Sequence, residues 1–168
     1  IIFGWMTARI SIQAGGSVGR GRWVEVEGQI NPSRGHVRVF NGQTDTAVGT
    51  IAARALGRSQ VFGSVSPGFG YALYEGPETD PRSGTVLSAG MEDYRIPGIA
   101  DTPAIDVHFD EAGFDHVLGG SVGIGEVATV PTSPALANAI RNAIGIRPTE
   151  IPIRPDRLIS ALKGSTAA

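Results

Sequence analysis

The strongest constraint on the fold is the spacing of apolar residues between Leu136 and Ile144. Apolar side chains follow Leu136 at the third, fourth, seventh and eighth positions, which places them in one stripe along a helix. Ser133 suits the N-terminal cap of this helix, Pro134 its first position and Gly145 its C-terminal stop. The pattern predicts an amphipathic helix that begins after Ser133 and ends at Gly145.

Alternating apolar and polar residues predict short strands elsewhere. Residues 23–27 and 36–40 alternate on either side of a turn at residues 31–35, and they predict a hairpin. Weaker strand patterns occur at residues 10–13, 85–87, 105–109 and 151–153.

Two further segments predict helices. Residues 48–75 are small and apolar and predict helical pieces that break near Gly57 and at residues 66–68, while Pro155 opens a last helix. The expected fold class is therefore α+β, with short mixed strands and packed helices.

Composition excludes several classes of function. The chain has 168 residues, enough for one domain with its own core, and its net charge of −2 gives no basic surface for nucleic acid. It contains no cysteine, so it holds no disulfide, thiolate zinc site or cysteine-ligated iron–sulfur cluster. No apolar run is long enough to span a membrane, and we expect a cytoplasmic protein, with the periplasm as the alternative. The apolar start without an initiator methionine predicts a fragment or a trimmed product.

Two glycine–serine motifs raise the alternative of a serine hydrolase. The Gly-x-Ser-x-Gly motif centred on Ser121 has the form of a nucleophile elbow, but every histidine precedes it. The copy centred on Ser17 has later histidines, yet residues 19–21 are a poor start for the helix that an elbow requires. Hydrolysis by Ser17 or Ser121 stays open as an alternative.

Metal and dinucleotide motifs are incomplete. Residues 123–128 match the letters of a dinucleotide fingerprint but lack the helix directly after it and the acidic residue about 20 positions on. His108 and His116 lack the helical spacing of zinc enzymes, and the acidic stretch at residues 101–115 lacks the pattern of a calcium loop. We predict no metal site formed by this chain's own side chains.

Glu126 is the strongest candidate for a functional carboxylate. It lies on a glycine-rich loop, between Gly125 and an apolar run, just before the predicted helix. A carboxylate in such a place is either satisfied by nearby amides or ready to take a proton. The pattern alone leaves both interpretations open.

An ordered set of motifs resembles the C-terminal part of the molybdopterin-binding large subunit of molybdenum hydroxylases, the xanthine dehydrogenase and aldehyde oxidase family. The match includes a glycine–glutamate motif, a helix rich in alanine and asparagine, and an Ile-Pro segment before a final helix. Upstream it includes a glutamine–glycine helix segment and a Tyr-x-Ile-Pro loop. These motifs lie at residues 123–126, 135–147, 151–158, 59–75 and 93–103.

The resemblance implies a molybdenum–molybdopterin cofactor, often in the cytosine dinucleotide form. Glu126 would act as general base in the hydroxylation of an aldehyde or N-heterocycle, while the cofactor carries the redox chemistry. The residues expected to contact the cofactor are glycines and one isoleucine: Gly123, Ile124, Gly125, Gly68 and Gly70. We expect a poorly matched N-terminal segment at residues 1–25, a molybdopterin-binding domain at residues 26–163 and a tail at residues 164–168.

The family's earlier half and its electron carriers are absent from this sequence. The resemblance therefore implies partners: the N-terminal half or a companion molybdopterin subunit, an iron–sulfur subunit and an FAD subunit. Val122 replaces a frequent lysine, Val127 a frequent proline and Pro67 a frequent glutamine of the family. These departures motivate a second hypothesis, an inactive truncated homologue that serves as an assembly or interaction domain.

Overall fold

The computed structural model describes residues 6–14, 22–31 and 33–165. Within them, four strands form one sheet in the order β1-β2-β3-β4. The strands are β1 (Met6–Ala14), β2 (Arg22–Asn31), β3 (His36–Ala47) and β4 (Ala104–Asp110). The α-helices are α1 (Arg54–Leu73), α2 (Thr129–Ile144) and α3 (Pro155–Ser165). The predicted α+β class is confirmed.

The sheet combines a meander with one parallel pair. β1, β2 and β3 pair antiparallel, and β4 pairs parallel to β3. A parallel neighbour requires a long crossover, and the connection that contains α1 provides it. The predicted hairpin is confirmed, with Gly35 at φ +65° in its turn.

Several local predictions differ from the structure. Residues 10–13 lie within β1 and residues 105–109 within β4, so these strands are confirmed. The strand predicted at residues 85–87 is wrong, because Val86 makes only an isolated bridge to Thr79. Residues 151–153 also form no strand. The predicted connector at residues 15–21 lies outside the described residues.

The prediction of a broken helix at residues 48–75 is wrong. α1 is continuous through Gly57 and Pro67, because its inner face is anchored in the core. Val61, Val65 and Phe69 are buried on that face, and tertiary packing of this kind outweighs the low helix propensity of glycine and proline.

The second helix begins earlier than predicted. α2 starts at Thr129, and Ser133 does not cap it, because its hydroxyl donates to the carbonyl oxygen of Gly68 at 2.8 Å. The predicted stop is confirmed: Gly145 adopts φ +75° and its amide donates to the Arg141 carbonyl oxygen. α3 begins at Pro155 as expected and continues to Ser165, beyond the predicted start of the tail.

The core brings α1 and α2 close together. A Cβ atom on Gly68 would lie 2.6 Å from the Thr132 Cβ, so the glycine permits a very close approach of the two helices. Their contact fixes the segment that leads into α2. The buried apolar residues come from the sheet and all three helices: Ile30, Val39, Val61, Val65, Phe69, Val107, Leu136, Ile140 and Leu158. Within the described part of the chain, no helix is long and apolar enough to cross a membrane.

Candidate active-site loop

The glutamate loop, residues 123–128, connects an isolated bridge just after β3 to α2. Ser121 bridges Gly49, and the Val122 amide donates to the Val48 carbonyl oxygen at 2.8 Å. The chain then turns through Gly125 and Glu126 and enters α2. The loop is therefore held at one end by the bridge and hydrogen bond of Ser121 and Val122, and at the other end by the start of α2.

Helix α1 also holds the loop at its middle. Gln60 Nε2 donates to the Gly125 carbonyl oxygen at 2.8 Å, and Ser64 Oγ donates to the same oxygen at 3.2 Å. Thr129 Oγ1 in turn donates to the Ser64 carbonyl oxygen at 2.9 Å. Glu126 thus lies between two points of attachment to one helix.

The outer side of the glutamate loop is open. Glu126 is exposed, and Cβ atoms added to Gly123 or Gly125 would meet nothing within 4 Å. Among the described residues, none accepts a hydrogen bond from the backbone amides of residues 123–126. The loop therefore has an exposed carboxylate and several backbone amides that no described residue uses. The flanking Val122 and Val130 are 37% and 71% exposed, so this surface is partly apolar.

Gly68 and Gly70 lie apart from this surface. Both are buried in α1, Gly68 against Thr132 and Gly70 against the Glu75 carboxylate. Helix packing alone explains why these positions are glycine. Their role in cofactor binding stays a prediction.

The geometry around Ser121 does not support a hydrolase. Ser121 has extended backbone angles, φ −152° and ψ 160°, and it takes part in a bridge rather than in a sharp strand-to-helix turn. A nucleophile elbow needs that turn. Ser17 lies outside the described residues.

Candidate metal-ligating side chains are scattered in the described part of the chain. There, no group of three or more His, Asp or Glu side chains could hold a metal ion. His108 lies 3.6 Å from Asp106, and both side chains are exposed.

A cavity that the sequence patterns did not indicate lies at the C-terminal end of α1. It is a cavity of about 320 Å³ lined by Arg38, Tyr74, Arg95 and Asp101 among others. Tyr74 Oη donates to Asp101 Oδ1 at 3.3 Å, and the Arg95 guanidinium carbon lies 4.9 Å from the Tyr74 ring centre. No periodicity or motif brings these residues together, because they come from three separate segments.

Known proteins match both the sequence and the fold. Residues 22–103 match the molybdopterin cofactor-binding domain family. The chain is 35% identical to the aldehyde oxidoreductase molybdenum-binding subunit PaoC of Escherichia coli (strain K12), over 95% of this chain and 22% of the relative. It is 32% identical to the putative xanthine dehydrogenase molybdenum-binding subunit of the same organism, over 66% of this chain and 15% of the relative.

A solved structure shows the same fold. The quinoline 2-oxidoreductase of Pseudomonas putida 86 superposes with a TM-score of 0.79 and 24% identity, over 85% of this chain and 18% of that one. The chain belongs to the molybdenum hydroxylase family, that of the molybdenum-binding subunits of xanthine dehydrogenases and aldehyde oxidoreductases. It spans about a fifth of the length of the Escherichia coli aldehyde oxidoreductase subunit.

Proposed function

We propose that this chain supplies the general-base carboxylate of a molybdenum-dependent hydroxylase, and that Glu126 is this base. The observation that carries the proposal is one exposed carboxylate on a glycine loop that α1 and α2 hold in place. The order of motifs shared with the family supports the same residue.

The residues of the glutamate loop fit a bound molybdopterin cofactor. Gly123 and Gly125 border open space, so the backbone can approach a ligand closely. The free amides of residues 123–126 can donate hydrogen bonds to anionic oxygen atoms. We assign Gly123, Ile124 and Gly125 to the contact surface for the cofactor. When bound, molybdopterin supplies the redox chemistry of the hydroxylation.

Glu126 takes up a proton during the reaction. A carboxylate in reach of an attacking oxygen can accept its proton as the oxygen adds to an electron-poor carbon, in an aldehyde or an N-heterocycle. General-base catalysis of this kind contributes about 100- to 10,000-fold to the rate. The loop's attachment to α1 keeps the carboxylate on the open side, where a substrate can enter.

The remainder of the site comes from other polypeptide. The chain spans 22% of the Escherichia coli relative and contains no cysteine for iron–sulfur clusters. We propose that the other part of the molybdopterin subunit closes the pocket, with the cofactor in the cytosine dinucleotide form. An iron–sulfur subunit and an FAD subunit would carry the electrons away.

The test is Glu126→Gln in the complete enzyme, with the rest of the subunit and its companions present. The amide keeps the size of the side chain but cannot act as the base, so steady-state turnover of an aldehyde or purine should fall by at least about 100-fold. The matched control is Glu92→Gln, an exposed carboxylate in a loop elsewhere on the chain, which should leave turnover unchanged.

The same experiment distinguishes the proposed catalytic role from the second hypothesis, an inactive homologue with a role in assembly. The replacements at Val122, Val127 and Pro67 favour an inactive homologue with a role in assembly. In that case the complete enzyme would turn over no substrate through this site, and Glu126→Gln would have no effect. Equal turnover of the wild type and of Glu126→Gln would remove Glu126 from the mechanism.

A further inference from the structure

We propose that Gln60 and Ser64 are positioning residues, which hold the Gly125 carbonyl oxygen and so set the backbone position from which the Glu126 side chain extends. This inference rests on the proposed role of Glu126. It adds a function for two residues of α1 whose side chains donate to the backbone of the glutamate loop rather than to the Glu126 carboxylate.

Two side chains converge on one carbonyl group. Gln60 Nε2 and Ser64 Oγ both donate to the Gly125 oxygen, at 2.8 and 3.2 Å. The two donors are one turn apart on α1, so they lie on the same face of the helix. A carbonyl oxygen has two lone pairs, and this arrangement uses both. Ser64 is only 4% exposed, so its donor is placed by the packing of α1.

The peptide group between Gly125 and Glu126 transmits this constraint. A trans peptide is planar, with its carbonyl oxygen and its amide hydrogen on opposite sides. Because the Gly125 oxygen points at α1, the Glu126 amide must point away from α1, towards the open face. The carbonyl oxygen of Glu126 itself accepts the Thr129 amide at 3.0 Å. The peptide groups on both sides of the Glu126 Cα are therefore held by hydrogen bonds.

Ser64 holds the chain on both sides of Glu126. Its hydroxyl holds Gly125 before the glutamate, and its carbonyl oxygen accepts Thr129 Oγ1 after it, at 2.9 Å. Within the described part of the chain, no hydrogen bond or ion pair to the Glu126 side chain itself is formed. The backbone attachment therefore sets the point from which the Glu126 side chain extends, and so the region that its carboxylate can reach.

Small errors in the placement of a general base have large effects on proton transfer. A general base must come within about 2.6–3.2 Å of the proton's heavy atom. A misplacement of about 1 Å can cost on the order of 100-fold in rate. We therefore expect loss of either donor to lower kcat without removing the base.

The first test measures the attachment directly, in this chain labelled with ¹³C and ¹⁵N. Gln60→Glu replaces the donor amide by a carboxylate that cannot donate, and the exposed position leaves packing unchanged. Ser64→Ala removes the second donor. Both should move the Gly125 carbonyl resonance and raise the amplitude of backbone motion at Glu126. Ser66→Ala is the matched control, since its hydroxyl donates at 2.8 Å to Phe62 within the same helix.

The second test measures catalysis in the complete enzyme. For Gln60→Glu and Ser64→Ala we expect kcat per bound molybdenum to fall by about 10-fold or more, with KM and cofactor content little changed. Ser64→Thr, which restores a hydroxyl, should recover part of the loss. A purely structural role would instead lower the amount of folded, cofactor-loaded enzyme and leave kcat per molybdenum as in the wild type.

Failure of this inference is distinct from failure of the proposed function. An unchanged Gly125 resonance, or unchanged kcat per molybdenum in both variants, overturns the positioning role even if Glu126→Gln is inactive. If the variants loosen the loop while Glu126→Gln remains active, the attachment is real but the assignment of the base is wrong.

Discussion

At the scale of single residues, the glycines of α1 perform different tasks. Gly68 is buried where α1 and α2 meet, and a Cβ atom there would lie 2.6 Å from the Thr132 Cβ. Gly63 is on the outer side of the same helix, and a Cβ atom there would meet nothing within 4 Å. One glycine is required by packing, whereas the other only lowers the stability of the helix.

This contrast predicts opposite effects of alanine at the two positions. Gly68→Ala should lower the free energy of unfolding by about 1–3 kcal/mol, because the helices must move apart. Gly63→Ala should raise it by roughly 0.5–1 kcal/mol, because alanine loses less entropy in a helix. Urea unfolding of both variants checks this. A neutral Gly68→Ala variant would show that the close helix contact is absent in solution.

Tyr74 provides a prediction for alkaline pH. Burial, followed by the charge of the Asp101 carboxylate and its hydrogen bond, raises the pKa of the Tyr74 phenol above its usual 10.0. The folded state therefore favours the neutral phenol. Its contribution to the free energy of unfolding is complete below the unfolded pKa and is lost as the pH rises through the folded value.

The ultraviolet absorbance of tyrosinate, compared between the wild type and Tyr74→Phe, follows this titration. We expect the Tyr74 phenol to lose its proton at a higher pH than a free tyrosine does. In Asp101→Asn its pKa should fall but stay raised, because burial is the larger cause. A pKa at or below the usual value in the wild type would contradict the packing described for this residue.

At the scale of elements, α2 and the segment before it carry the proposed site. α2 begins at Thr129 and ends with Gly145 at φ +75°, a left-handed conformation that favours glycine. Thr129 and Ser133 of α2 donate hydrogen bonds to backbone carbonyl oxygens of α1. These bonds hold the end of the glutamate loop close to α1. Correct ending of α2 therefore matters for the packing that supports the loop.

Gly145→Ala should lower the free energy of unfolding by about 1–2 kcal/mol, because a Cβ atom is strained at this φ. Gly145→Asn should cost less, since asparagine tolerates this conformation better. Gly164→Ala, in α3 and with open space around it, is the control and should be neutral or slightly stabilising. Thermal unfolding compares the three variants. Equal effects of alanine and asparagine at Gly145 would argue against a left-handed helix end.

Periodicity predicted the elements whose own residues decide their structure. The hairpin, the strand predicted at residues 105–109 and the stop at Gly145 follow from alternation and turn residues, and they are confirmed. The predicted start of α2 and the predicted breaks in α1 were wrong, because contacts between distant segments decide both features. Ser133 looks like a cap in sequence but bonds to Gly68, 65 positions away. Likewise, no local pattern pairs Gln60 with Gly125.

At the scale of the whole molecule, the proposed function makes this chain one side of a larger catalytic unit. The open face of the glutamate loop carries a carboxylate, free amides and exposed valines, and the relatives that the chain matches are several times longer. The motif order in the sequence was enough to indicate the family, while its assignment of Glu126 as the base stays a prediction. It could not show the attachment to α1, which arises only when the helices pack.

This incompleteness predicts that the isolated chain does not hydroxylate. The purified 168-residue chain, incubated with aldehydes or purines and an artificial electron acceptor, should show no turnover above a buffer blank, because it lacks the other wall of the pocket. The complete enzyme, assayed in parallel, is the positive control. Turnover by the isolated chain would show that no partner polypeptide is needed.

The central claim is that Glu126 takes a proton in the hydroxylation step. The most direct measurement is rapid anaerobic mixing of the complete enzyme with excess substrate, following reduction of its cofactors in the wild type and in Glu126→Gln at matched molybdenum content. We predict that reduction is at least about 100-fold slower in Glu126→Gln, with the molybdenum retained. Reduction of Glu126→Gln at the wild-type rate would contradict the account.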